Sequence, residues 1–81
     1  MRQKIYSFLT RYIKNRELKD DDNIFDLGLV NSLFTMQLVM YLENEFHITI
    51  HNKELDWENF KSVNNIMSFV NKKLEKIQEE R

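Results

Sequence analysis

The chain runs for 81 residues without a proline and with a single glycine, Gly28. These two residues are the usual breakers of helices, so a chain almost free of them favours helices joined by short links. It also lacks cysteine, which removes disulfide staples and thiolate metal sites. Only a compact core remains to hold so short a chain, which buries roughly 60–65% of its unfolded surface.

Helical periodicity is legible in three places. Ile5, Phe8, Leu9, Tyr12 and Ile13 recur at i, i+3, i+4, i+7 and i+8, with Arg2, Lys4, Arg11 and Lys14 kept outside. Lys14 and Arg16 suit a helix C-terminus, which predicts helix one over about 2–16. Helix two starts at Asn31 or Ser32 and runs to about Phe46. Leu38, Leu42 and Phe46 form its inward face, with Thr35, Val39 and Tyr41 nearby. Leu33, Met36, Gln37, Met40, Glu43 and Asn44 fall mostly on or near the other side. Apolar residues there are either a docking surface, for which adaptable methionine is suited, or packing under a loop or against the last helix. The last helix opens on Ser62 as N-cap and carries Val63, Ile66, Met67, Val70, Leu74 and Ile77.

Between these lie two connections. "ELKDDDNIFDLGLVNS" is acidic and turn-forming, yet it holds Ile24, Phe25, Leu27, Leu29 and Val30. A loop so apolar should fold back over the core, and long ordered loops tend to be functional. In the second connection "HITI" is an extended link, and "LDWENF" a short helix capped by Asp56, with Trp57 and Phe60 pointing inward. The expected fold is all-α: a small four-helix bundle, three main helices plus one short one, with a long ordered loop between helices one and two. Residues 1–81 form one domain.

Charge is unevenly spread. Residues 20–60 carry one lysine and nine carboxylates, whereas residues 1–19 carry six Lys/Arg and one glutamate. An acidic middle repels phosphates, so nucleic acid is not an expected partner there; a basic protein surface is. No apolar run approaches the ~20 residues that span a membrane. The N-terminal stretch reads as a mature helix and not a signal peptide, making the cytoplasm the expected location.

Chemistry narrows the role of Ser32. A serine nucleophile needs a positioned base. The chain has two histidines, His47 and His51, both beyond the far end of helix two, with His47 about 20 Å from Ser32. Their i, i+4 spacing brackets "ITI", which looks extended, so neither a zinc site nor a metalloprotease motif is expected. No Gly-rich loop offers nucleotide binding. No catalytic residue is assigned, and the chain is not expected to be an enzyme. Ser32 is then a helix cap in a helical interaction module, or an attachment point whose phosphodiester would meet the positive end of a helix dipole. Gly28 would let the preceding turn leave the hydroxyl exposed.

The segment "DLGLVNSLFTMQLVMYLENEFHITI" resembles the heart of an acyl or peptidyl carrier protein. The features that carry the resemblance are Asp26, Gly28, Asn31, Ser32, Leu33, Leu38, Leu42, Glu43 and Phe46, within a similar helix order along the whole chain. The resemblance implies that Ser32 receives 4'-phosphopantetheine from coenzyme A through a phosphopantetheinyl transferase. The thiol of that arm would carry cargo as a thioester. It also implies a protein, monomeric and without membrane attachment, that presents cargo to acyl-loading, tailoring and acyltransferase or synthase enzymes. Asn31, Leu33, Met36, Gln37, Met40 and Glu43 would form the docking surface.

Some positions depart from the family pattern. Asn31 stands where aspartate is usual before the serine, Gln37 and Asn44 where glutamate is common, and Phe34 where a small or acidic residue is common. The pattern is similar to freestanding carriers of unusual extender units, of hydroxymalonyl, methoxymalonyl or aminomalonyl type, in polyketide or hybrid polyketide-peptide (antibiotic) biosynthesis. The alternative is a freestanding aminoacyl or peptidyl carrier, for example of D-alanyl type.

Overall fold

The computed structural model describes residues 1–12, 18–27 and 32–79. Among these residues there are three α-helices: α1 (Arg2–Tyr12), α2 (Ser32–Phe46) and α3 (Val63–Glu79). Short 3-10 helices occupy Ile24–Leu27, Asn52–Glu54 and Trp57–Asn59, and no strand is present among the described residues. The all-α class therefore stands. The expected fourth helix is instead one turn of 3-10 helix at Trp57–Asn59, with another just before it. Among the described residues the arrangement is three α-helices and three 3-10 turns, one of them where the short helix was expected. The expected extension of helix one to residue 16 lies outside the described residues, as do Gly28, Leu29, Val30 and Asn31.

Each helix contributes one stripe to a shared core. Ile5, Phe8 and Leu9 come from α1; Phe34, Leu38 and Leu42 from α2; Val63, Ile66, Phe69 and Val70 from α3. On α2 the buried residues stand four apart, so they share one helix face. Phe8 is the aromatic hub: its ring stacks on Tyr41 at 4.5 Å and lies 6.1 Å from Phe34, while Tyr12 meets Phe34 edge-on at 5.3 Å. Such offset and edge contacts add to the burial of the rings themselves. Of the expected stripe members, Met67 and Leu74 are only half-buried and Tyr12 and Ile77 are exposed, and Phe46 packs against the core from its rim.

The described part of the first connection folds back over the core at the buried Leu18 and Ile24, with Phe25 half-buried, while Leu29 and Val30 lie outside the described residues. Two backbone bonds stitch this loop to the start of α3: Ile24 N–H donates to the Lys61 carbonyl at 2.7 Å, and Asn64 N–H to the Asp20 carbonyl at 2.9 Å. Arg2 clamps the same loop from α1, its guanidinium bonding both carboxylate oxygens of Asp20 at 2.7 Å. Asn23 supports the turn by accepting from Phe25 N–H at 3.0 Å.

α2 ends at His47, which has a left-handed φ of 56°. Ile48 N–H then donates back to the Glu43 carbonyl at 3.3 Å, and Ile48 is buried. This is the six-to-one closure of a helix ended by a left-handed residue, with the next apolar side chain tucked beneath. α3 begins as expected. Ser62 Oγ accepts from Asn65 N–H at 3.1 Å and donates to Asn65 Oδ1 at 2.6 Å. Among the described residues, no buried side-chain nitrogen or oxygen lacks a partner, and no helix is long and apolar enough to cross a membrane.

Candidate functional site

Ser32 is the first residue of α2, and its side chain is exposed. The helix start leaves backbone N–H groups without intrahelical acceptors, so this end favours negative charge. An exposed hydroxyl at such an end is accessible to another enzyme and compatible with a phosphodiester. α2 itself carries no acidic residue in its first turn and so keeps that end free of built-in competition.

Downstream of Ser32 the face of α2 opposite the core is apolar and open. Leu33 is 67% exposed, Met36 60% and Met40 57%. The question left open by the sequence is thus settled for these three: they do not pack under a loop or against α3. Gln37 lies beside them, half-buried. Glu43 continues the same side of the helix, but its carboxylate is engaged within the molecule, accepting from Ile50 N–H at 2.9 Å. Asn31 lies outside the described residues. The structure therefore gathers Ser32, Leu33, Met36 and Met40 onto one accessible surface, with Gln37 and Glu43 at its inner edge.

Both histidines lie far from Ser32. α2 is 15 residues long and rises about 21 Å from Ser32 to Phe46, and His47 follows it. His51 shares a cavity with His47 at that far end. Neither imidazole can serve Ser32 as a base. Among the described residues, no three His, Cys, Asp or Glu side chains group as metal ligands.

The short connection departs from expectation at one residue. Asp56 does cap the 3-10 turn, accepting from Glu58 N–H at 3.1 Å, and Phe60 is buried. Trp57, expected to point inward, is 53% exposed. Its ring meets Phe25 edge-on at 6.1 Å and lies 5.6 Å from Lys61 Nζ, a cation-π contact. The turn ends at Asn59; Phe60, its C-cap with φ −124°, is buried, while Trp57 at its start stays outside. Five buried residues were not among the expected core: Leu18, hidden in an acidic stretch; Phe34, which lies four before Leu38; Ile48 and Ile50, in the extended link; and Phe69, three after Ile66. For the two phenylalanines the helical spacing was an available signal.

Residues 9–70 match the family described as "Phosphopantetheine attachment site". Curated relatives agree in type. The D-alanyl carrier protein of Bacillus velezensis (strain DSM 23117 / BGSC 10A6 / LMG 26770 / FZB42) is 33% identical over 69 residues, which cover 83% of this chain and 88% of that protein. The D-alanyl carrier protein of Streptococcus uberis (strain ATCC BAA-854 / 0140J) is 39% identical over 54 residues, 67% of either chain. That of Streptococcus suis (strain 05ZYH33) is 36% identical over 50 residues, and the match spans 62% of this chain and 63% of the relative's length.

Proposed function

The chain belongs to the phosphopantetheine-attachment family of carrier proteins, bearing a covalently attached 4'-phosphopantetheine, and from that premise we propose that Ser32 holds the arm and that the cargo is an amino acid of D-alanyl type. Carrier proteins as a class meet a phosphopantetheinyl transferase and the enzymes of a biosynthetic pathway. The residues present fit such a group. Ser32 is an exposed hydroxyl at a helix N-terminus, where a phosphodiester is electrostatically favoured. When attached, the arm supplies a terminal thiol that carries cargo as a thioester.

The chain's own residues position and present. The start of α2 fixes the attachment oxygen on a rigid helix rather than on a loop tip. With neither histidine in reach, removal of the serine proton falls to the transferase. Leu33, Met36 and Met40 offer successive partners one apolar surface. Methionine's unbranched, polarizable side chain adapts to different counterparts, as a shuttle among several enzymes requires.

The observation that carries the cargo reading is the naming of the relatives, among them the Bacillus protein matched over 83% of this chain. It favours the aminoacyl alternative over the unusual-extender-unit reading of the sequence. Charge supports the same choice. A D-alanyl thioester bears a free ammonium, whereas malonyl-type units bear a carboxylate, and residues 20–60 hold nine carboxylates against one lysine. The test is paired loading of the phosphopantetheinylated protein. One reaction contains D-alanine, ATP and a D-alanine-activating ligase; the other contains malonyl-coenzyme A and a malonyltransferase. Intact mass should show D-alanyl transfer and little malonyl transfer; the reverse outcome overturns the cargo reading.

A further inference from the structure

At the end of α2 remote from Ser32 lies a cavity of about 360 Å³, formed where the link after α2 meets the C-terminal half of α3. Its floor is an ion pair: Lys73 Nζ bonds both carboxylate oxygens of Glu54, at 2.8 and 3.1 Å. Around that pair stand Lys53, Lys76, His47, His51 and the Thr49 hydroxyl. The lining thus holds three lysines and both of the chain's histidines against one carboxylate. Lys53 is also the one lysine or arginine between residues 20 and 60.

The carboxylate here is already used, and two of the three lysines are not. Glu54 is satisfied by Lys73 and by His51 N–H, which reaches Oε1 at 3.0 Å. The nearby carboxylates of the last turn of α2 are turned to other partners, Glu43 to Ile50 N–H and Glu45 to Lys4. The Glu43 carbonyl, at the negative end of the α2 dipole, is occupied by Ile48 N–H. Among the described residues, Lys53 and Lys76 have no carboxylate partner. Two uncommitted ammonium groups, with a hydroxyl between α2 and the 3-10 turn, are suited to a tetrahedral oxyanion.

We infer that this cavity is a phosphate-binding site, separate from the Ser32 surface and about 21 Å along α2 from it. The phosphate is either a soluble one or the headgroup of an anionic lipid; the donor set is the same for both.

The test is a titration of the full chain with inorganic phosphate at constant ionic strength, read by the amide NMR shifts of each residue. Saturable shifts should concentrate at Thr49, Lys53, Lys73 and Lys76 and persist in Ser32→Ala. Replacing Lys53 and Lys76 together by glutamine should weaken phosphate binding about tenfold with helicity unchanged. Shifts that do not saturate, that are shared equally by Lys4 and Lys61, or that survive the double substitution overturn the site. A second arm distinguishes the sources. Co-sedimentation with phosphatidylglycerol vesicles but not phosphatidylcholine vesicles, lost in the double variant, assigns the headgroup; its absence beside saturable phosphate binding assigns a soluble phosphate.

Discussion

Glu43 holds Ile50 in place: its carboxylate accepts from the Ile50 N–H at 2.9 Å, while its own carbonyl accepts from Ile48 N–H at 3.3 Å. One residue on the face of α2 turned away from the core therefore anchors the link that follows the helix, and both isoleucines of that link are buried. Glu43→Ala should destabilise the protein by about 1–3 kcal/mol, because it strands a part-buried donor. Glu43→Gln keeps an acceptor and should lose less. Urea unfolding midpoints at an unchanged slope measure the difference. If both variants match the parent in stability, the bond contributes nothing and Glu43 is free to act in docking alone.

Leu33 and Phe34 are neighbours with opposite duties. Phe34 is 5% exposed within the Phe8, Tyr12 and Tyr41 cluster, so Phe34→Ala should cost about 3–5 kcal/mol. Leu33→Ala should change stability by less than about 0.5 kcal/mol, yet slow modification by the transferase. Met36→Glu and Met40→Glu should likewise leave the circular dichroism spectrum intact while weakening partner binding. Partner binding unchanged in all three surface variants would remove the α2 face from the docking account.

Acid should weaken the fold through Glu54 and Asp20. The hydrogen bond from Lys73, followed by that from His51 N–H, holds the Glu54 carboxyl below its ordinary value of 4.5. The hydrogen bond from Arg2 does the same for Asp20, ordinarily 3.8. A lowered folded value means that the carboxylate's contribution is fully present above the ordinary value and is lost as pH falls through the lowered one. Stability should therefore be flat above about pH 5 with respect to these groups and decline below it. Glu54→Gln should flatten the decline, a prediction checked by thermal melts across that pH range.

The start of α3 rests on a single cap. Ser62 is 2% exposed and bonds both the backbone and the side chain of Asn65. Ser62→Ala should cost about 1–2 kcal/mol and Ser62→Asp less, as read from the melting temperature. Equal stability of all three proteins would show that Asn65 and its bond to the Glu58 carbonyl suffice without the cap.

How much of this was legible in the sequence depended on periodicity. The stripes of α1 and α3, the Ser62 and Asp56 caps and the inward fold of the Ile24 segment followed from spacing and from the cost of exposing apolar loops. Phe34 lies four residues before Leu38 on the same helix face, so the spacing does carry a signal for its burial. Trp57 was misplaced because a one-turn helix has no stripe. Phe60, expected inward with it, is buried, whereas Trp57 at the start of the turn stays outside. The tertiary ties of Glu43 to Ile50 and of Lys73 to Glu54 carry no periodic signal at all. At the site, the exposure of Ser32, Leu33, Met36 and Met40 agrees with the spacing, whereas the choice of cargo came from relatives and not from any side chain of this chain.

The account stands most directly on Ser32. Purified protein incubated with coenzyme A and a broad-specificity phosphopantetheinyl transferase should gain the mass of one phosphopantetheinyl group, located at Ser32 by peptide fragmentation. Ser32→Ala, still helical, should gain nothing. An unchanged mass in the parent protein, or the same gain in Ser32→Ala, would contradict Ser32 as the attachment residue.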